Sequence, residues 1–520
     1  MSFARAIATV GGLTLVSRVA GFARDILTAA LLGAGPVGDA FFVALKLPNL
    51  FRRLFAEGAF SVAFVPLFNA ELEGSGRDSA IAFAERALAL MVAVLVPFTV
   101  AIVAAMPWAV TVIAPGFVDE PERYDLAVTF SRITFPYLLL VALVALMGGV
   151  LNSLDRFAPF AAAPILFNLT LIAALLGLTP LVASPGHALS WGVAASGMVQ
   201  LLFLAEACRR AGVRLRLVRP SLTPRVRRLF RLMGPAALGA GVLQINSFVD
   251  VLLASLLPAG AVSFLYYADR LYQLPLGVVG IAIGTALLPL LSRRVTAGDR
   301  DGAAEAQNRA IEYGLLLALP AAAALMAVPG PILAVLFERG RFGPEDTALT
   351  ALALGIFAAG IPAYILIKVL STVYFARQDT TSPVKAATVA AGLNIALGVL
   401  AISVLDPRIG HAGLAAATAI SAWVNAAILA RGLVRGGVLV PDRRLVARLP
   451  RLVAAAAAMA AGLIALAATL EAPLAGPLWE KVPALAGLVG AGAVVYFGLA
   501  HLLGGTRLGD LRALMRRKPA

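Results

Sequence analysis

The chain is poor in the residues that most catalytic chemistry needs. Its 520 residues hold one cysteine, Cys208, and three histidines, His187, His411 and His501. A lone cysteine excludes an intramolecular disulfide. The histidines sit near predicted helix ends and share no metal-ligand spacing. No Walker-type glycine loop occurs, so ATP is not the expected energy source. Charge is scarce too: 14% of residues are charged, against 60% hydrophobic and a mean hydropathy of +0.90. No soluble core needs that much apolar sequence, which makes this an all-α polytopic membrane protein.

Each crossing needs about 20 residues. Fourteen apolar stretches qualify, centred near Val19, Arg53, Val96, Leu140, Leu171, Gln200, Phe248, Val278, Leu317, Ile361, Leu393, Ala422, Met459 and Gly490. The formal net charge of +15 resembles a nucleic-acid signal, but its distribution argues against one. Nine basic residues lie between Arg209 and Arg231, six between Arg431 and Arg451 and five between Arg507 and Lys518. The opposite connections hold only Arg123, Arg339, Arg341, Arg408 and Lys481. This positive-inside bias places both termini in the cytoplasm and the acidic stretch 119–125 outside. The basic loops then read as topology signals and headgroup contacts, with membrane lipids rather than nucleic acid as partners.

An internal repeat organises the chain. Phe135-Pro136 is followed by Asn168 at the same interval that separates Ile361-Pro362 from Asn394, and the two sets are offset by 226 residues. Asp25 before 31–35 and Asp250 before 256–260 repeat at an offset of 225. Two six-helix lobes related by pseudo-two-fold symmetry follow, with a shared cleft as the natural substrate site. The expected divisions are a first lobe at 1–210, a basic cytoplasmic linker at 211–231, a second lobe at 232–437, and two further helices with a basic tail at 438–520. Pro48, Pro66, Pro136, Pro164, Pro275, Pro289 and Pro362 mark expected bends.

Eight basic residues remain inside the spans. An arginine at the centre of a membrane helix costs about 2.5–3.5 kcal/mol even on the mild insertion scale, so such residues face water or meet something negative. Arg18 and Arg24 sit in the first span, flanked by Ser17 and Asp25. They are six residues apart, so they share one face only if the helix bends, with Gly21 the candidate. In the second span Lys46, Asn49 and Arg53 share a face, Arg52 lies three residues after Asn49, and Asp39 opens the helix. Glu57 follows Arg53 by four as an ion-pair partner, and a purely structural pairing is the alternative for Arg53 and for Lys368. Asp269 and Arg270 head the eighth span. Cations exceed acids in the first lobe, which points to an anionic cargo; arginine suits a phosphate because its fork binds two oxygens and stays charged.

The runs Ser17–Asp25, Asp39–Phe42 and Pro48–Phe60 closely resemble the MurJ (MviN) family of lipid II flippases, of the multidrug/oligosaccharidyl-lipid/polysaccharide exporter superfamily, as do Tyr266–Leu271 and Phe375–Thr380. The resemblance implies a transporter, not an enzyme. Its cargo would be lipid II, the undecaprenyl-diphosphate-linked disaccharide pentapeptide, carried from the cytoplasmic to the periplasmic leaflet of the bacterial inner membrane by alternating access. Arg18, Arg24 and Arg270 match arginines that hold the diphosphate, and Asp39, Asn49, Arg52 and Glu57 match other polar cavity positions. The last two helices would form a groove for the polyprenyl tail. A cation site in the family implies Asp250, Asn394 and Thr418 here, although Gly398 stands where a second acid could sit. No cofactor is expected; coupling to Na+, H+ or the membrane potential is open. Cell-wall synthesis proteins are candidate partners. The closest alternative is an exporter of another undecaprenyl-linked oligosaccharide or of a drug, and a cationic drug would prefer acids.

Overall fold

In the computed structural model, residues 3–52 and 60–506 are described, with the side chains of 3–8, 51, 61–62, 235–246 and 278–286 outside the description. These residues are helical almost throughout, with no extended strand among them. The chain divides into two compact units, Met1–Ser263 with Gly340–Phe342 and Phe264–Arg339 with Gly343–Ala520.

The first unit holds α1 (Phe3–Leu32), α2 (Pro36–Phe51), α3 (Phe60–Gly74), α4 (Arg77–Ala104), α5 (Met106–Ile113), α6 (Pro121–Thr134), α7 (Tyr137–Ser153), α8 (Phe157–Leu178), α9 (Pro185–Arg210) and α10 (Pro224–Ser255). Prolines open α2, α6, α9 and α10, where a missing N–H costs nothing and φ is already helical. The core is an aromatic ladder. Phe60, Phe64 and Phe68 follow at i, i+4, i+8 along α3, with ring centroids 5.0 and 5.6 Å apart, and Phe83 of α4 stacks on Phe64 at 5.6 Å. Gly149 of α7 makes room for it, since a Cβ there would lie 2.9 Å from the Phe64 ring.

The second unit holds α11 (Ala261–Thr296, whose first turn belongs to the first unit), α12 (Arg300–Ala327), α13 (Pro329–Leu336), α14 (Pro344–Ala358), α15 (Ile361–Ala376), α16 (Thr381–Val404), α17 (Gly410–Arg435), α18 (Arg443–Thr469), α19 (Glu471–Ala475) and α20 (Leu478–Leu502). Alanine-rich α18 packs Ala455, Ala456, Met459 and Leu463 into a cluster with Leu316 of α12 and Leu488 of α20. The buried Tyr496 hydroxyl of α20 donates to the Leu316 carbonyl at 2.9 Å. At the basic end, Glu312 of α12 is buried and accepts from Arg309, Arg444 and Arg448, while Asp442 caps α18 by accepting from Leu445 N–H at 2.6 Å. A carboxylate this deep is tolerable only with such partners.

The repeat is visible in the helix order. α4 starts at Arg77 and α12 at Arg300; α5 at Met106 and α13 at Pro329; α6 at Pro121 and α14 at Pro344; α9 at Pro185 and α17 at Gly410, offsets of 223 to 225. Both series contain an eight-residue helix at the same place. Pro136 and Pro362 lie at the expected breaks: each interrupts a 33-residue apolar span, between α6 and α7 and between α14 and α15, while the backbone stays helical in sense. The motif 375–380 also has a local reason: Gln378 takes a positive φ of 62°, and Asp379 accepts from the N–H groups of Thr381 and Ser382 at 3.0 and 2.9 Å to start α16.

Ten stretches of the described residues are long and apolar enough to cross a membrane. The other crossings read from the sequence fall on α1, α2 with α3, α10 and α11, which carry the intramembrane charges or include side chains outside the description. Only 17% of the apolar window of α20 is buried, against 78% across α6 and α7, so α20 leaves most of its apolar surface uncovered by the rest of the protein. Gly340, in the first unit, has φ +60°, and a Cβ there would lie 2.2 Å from the Ala30 carbonyl oxygen. Gly340→Ala is expected to lower the thermal unfolding midpoint by a strain of about 1–3 kcal/mol; an unchanged midpoint in a detergent melting series would show that this turn is not held as described.

Candidate functional site

Arg24 is the best-built of the expected cargo residues. It lies on the side of α1 that packs against α8, and Gly21, one turn earlier, permits the close approach: a Cβ there would meet Asn168 of α8 at 3.4 Å. The Asn168 amide joins the two helices, donating to the Ser17 carbonyl at 3.1 Å and accepting from Arg24 Nη1 at 2.9 Å. Arg24 Nε and Nη2 both donate to Asp25 Oδ1, at 3.1 and 2.6 Å. Asp25 is buried, Arg24 half-buried, and the Phe167 ring lies 5.8 Å from the guanidinium. Among the described residues the fork is held in direction by Asn168 and Asp25. Arg18 is exposed and makes no hydrogen bond or ion pair among the described residues. α1 runs unbroken past Gly21, with Arg18 on an exposed face and Arg24 against α8.

On α2, Arg52 Nε donates to Asn49 Oδ1 at 3.3 Å and Lys46 Nζ to Ser247 Oγ of α10 at 3.3 Å. Arg53 and Glu57 lie outside the described residues. In the second unit, Arg270 sits 4.7 Å over the Tyr266 ring, with Asp269 Oδ2 3.7 Å from its Nη2, and Gln273 donates to that same oxygen. Thr418 Oγ1 of α17 donates to Asn394 Oδ1 of α16 at 3.4 Å and to the Leu414 carbonyl at 3.1 Å. Asp250 is half-buried on α10. Among the described residues no group of three or more His, Cys, Asp or Glu side chains is placed to hold a metal.

Asp39, expected on a cavity wall, has no accessible surface and four donors inside the first unit. Arg123 Nη2 and the Gly260 N–H reach Oδ2 at 2.6 and 2.7 Å; the Ser263 N–H and hydroxyl reach Oδ1 at 2.8 and 2.6 Å. Arg123 is 1% exposed, lies 3.9 Å over the Phe117 ring and donates to the Leu257 carbonyl at 3.2 Å. Both carboxylate oxygens are saturated, so in this conformation Asp39 holds 257–263 against α2 and α6 rather than meeting a ligand. Sequence reasoning missed Arg123 and Asn168. Arg123 was readable only as a loop cation, and Asn168 was visible only as a repeat marker.

Removing one member of a buried ion pair strands the other and costs about 3–5 kcal/mol. Arg123→Leu is expected to show that loss in unfolding experiments, and Arg123→Leu with Asp39→Asn to recover a large part of it. Additive losses in the double variant would mean that the two side chains are not coupled.

The comparisons with known proteins agree with this architecture. The sequence profile of the family "Lipid II flippase MurJ" matches residues 28–475. A Rhizobium meliloti (strain 1021) protein described as "Probable lipid II flippase MurJ" is 46% identical over 525 aligned positions, covering 99% of this chain and 97% of the relative. The solved structure "Lipid II flippase MurJ, inward closed conformation" superposes with a TM-score of 0.78 at 22% identity, covering 98% of this chain and 99% of that one. An inward-facing MATE transporter of the MOP superfamily superposes at 0.68 with 14% identity, covering 82% and 97%. With its fold shared with solved structures and its sequence matched along nearly its whole length, the chain belongs to the MurJ lipid II flippase family.

Proposed function

We propose that this membrane protein carries lipid II from the cytoplasmic to the periplasmic leaflet of the bacterial inner membrane by alternating access, making and breaking no covalent bond. Family membership supports the cargo. The observation that carries the mechanism is the Arg24 clamp: a permanently charged fork held at depth by Asn168 and Asp25. Arg18 and Arg52 are assigned to the same diphosphate, with Ser17, Asn49 and Asp25 orienting them and Glu57 as a further polar position; in the second unit Arg270, with Asp269, is a further candidate for contact with the anionic cargo. A diphosphate brings more charge than the single Asp25 carboxylate, so it competes for the fork while Asn168 keeps the guanidinium in place. The polyprenyl tail then lies along the lipid-facing α18 and α20.

An inside-negative potential favours export of an anion by about 2.3 kcal/mol per charge per 100 mV. Asp250, Asn394 and Thr418 are the candidates for Na+ or H+ coupling. Both termini lie in the cytoplasm on the positive-inside distribution of arginine. A carrier of another undecaprenyl-linked oligosaccharide would use the same diphosphate chemistry; a cationic drug would not.

The test is transbilayer movement of lipid II in vesicles containing the purified protein. A lost charge-assisted hydrogen bond is worth about 1.5–3 kcal/mol, so Arg24→Ala is expected to weaken lipid II binding roughly ten-fold or more and to stop transport. Arg24→Lys, which keeps the charge without the fork, should recover part of the binding. In Asn168→Ala the half-saturating lipid II concentration should rise while the protein stays folded. Wild-type transport by Arg24→Ala would refute the assignment.

A further inference from the structure

A cavity of about 340 Å³ at one end of the α18–α20 hairpin has no place in the transport reading. Pro331, Ala467 and Leu474 give it apolar walls, and Glu338, Glu471 and Lys481 line it with two carboxylates and one ammonium. Lys481 Nζ donates to Glu338 Oε1 at 3.3 Å, with side chains only 12% and 23% exposed. Glu471 opens α19, is exposed, and makes no hydrogen bond or ion pair among the described residues.

Its depth can be read from its neighbours. α18 carries Arg443, Arg444, Arg448 and Arg451 at its other end. Trp479, two residues before the lining Lys481, is 76% exposed, as tryptophans are at a membrane–water interface. Both long helices face lipid over most of their length. The cavity therefore opens where lipid headgroups lie, on the side away from the basic end.

We propose that it binds the headgroup of a phospholipid carrying a primary ammonium, of the phosphatidylethanolamine type. The ammonium reaches Glu471 and Glu338, and the phosphate reaches Lys481. The hollow is open rather than enclosed, which suits a headgroup at a membrane surface. One excess carboxylate disfavours an anionic headgroup, and a quaternary ammonium has no N–H to donate to either acid.

Native mass spectrometry of the full-length protein with equal amounts of phosphatidylethanolamine, phosphatidylcholine and phosphatidylglycerol tests this. The expected result is at least three-fold preferential retention of the ethanolamine lipid, lost in Glu471→Gln and in Lys481→Gln with unchanged thermal unfolding in phosphatidylglycerol. Equal retention of the three lipids, as a site for a basic protein segment would give, overturns the proposal. So does a preference that survives both substitutions, since the lipid would then sit elsewhere. Lipid II transport is not the readout, so the transport reading stands or falls separately.

Discussion

A charge buried in this chain needs a partner, because a medium without water offers no other way to hold it. Arg24 is met by Asp25 and Asn168, Asp39 by Arg123 and two backbone N–H groups, Glu312 by three arginines. These pairs fix α1 to α8, the 257–263 segment to α2 and α6, and α18 to α12. Apolar side chains fill the space between them, and glycines such as Gly21 and Gly149 decide how closely the helices approach.

A transporter uses such pairs differently from a static protein. A buried ion pair adds little net stability over an apolar equivalent, but breaking it is costly. It therefore holds one arrangement firmly and releases it only when something replaces a partner. The Asp25 carboxylate engages the Arg24 fork, and Asp39 holds 257–263 through its four donors.

Much of this was legible before any coordinates. Composition fixed the class, and two motif offsets exposed a duplication that recurs in the starts of α4 and α12, α5 and α13, α6 and α14. Those signals are local or periodic, so a linear reading finds them. What stayed hidden was partnership. Arg24 and Asn168 are 144 residues apart, and Asp39 and Ser263 are 224 apart. Nothing in their local sequence names the other member. Arg123, placed by its neighbours in an exposed acidic loop, is among the most buried large side chains of the chain because Asp39 and Phe117 enclose it.

The central claim is that arginines at depth recognise a diphosphate. Competition against lipid II binding by undecaprenyl diphosphate and by undecaprenol, which share a tail and differ only in the anion, tests it most directly. The account predicts that the diphosphate displaces lipid II and the alcohol does not. Equal displacement by both would show that the tail, not the arginine-held anion, is what the protein binds.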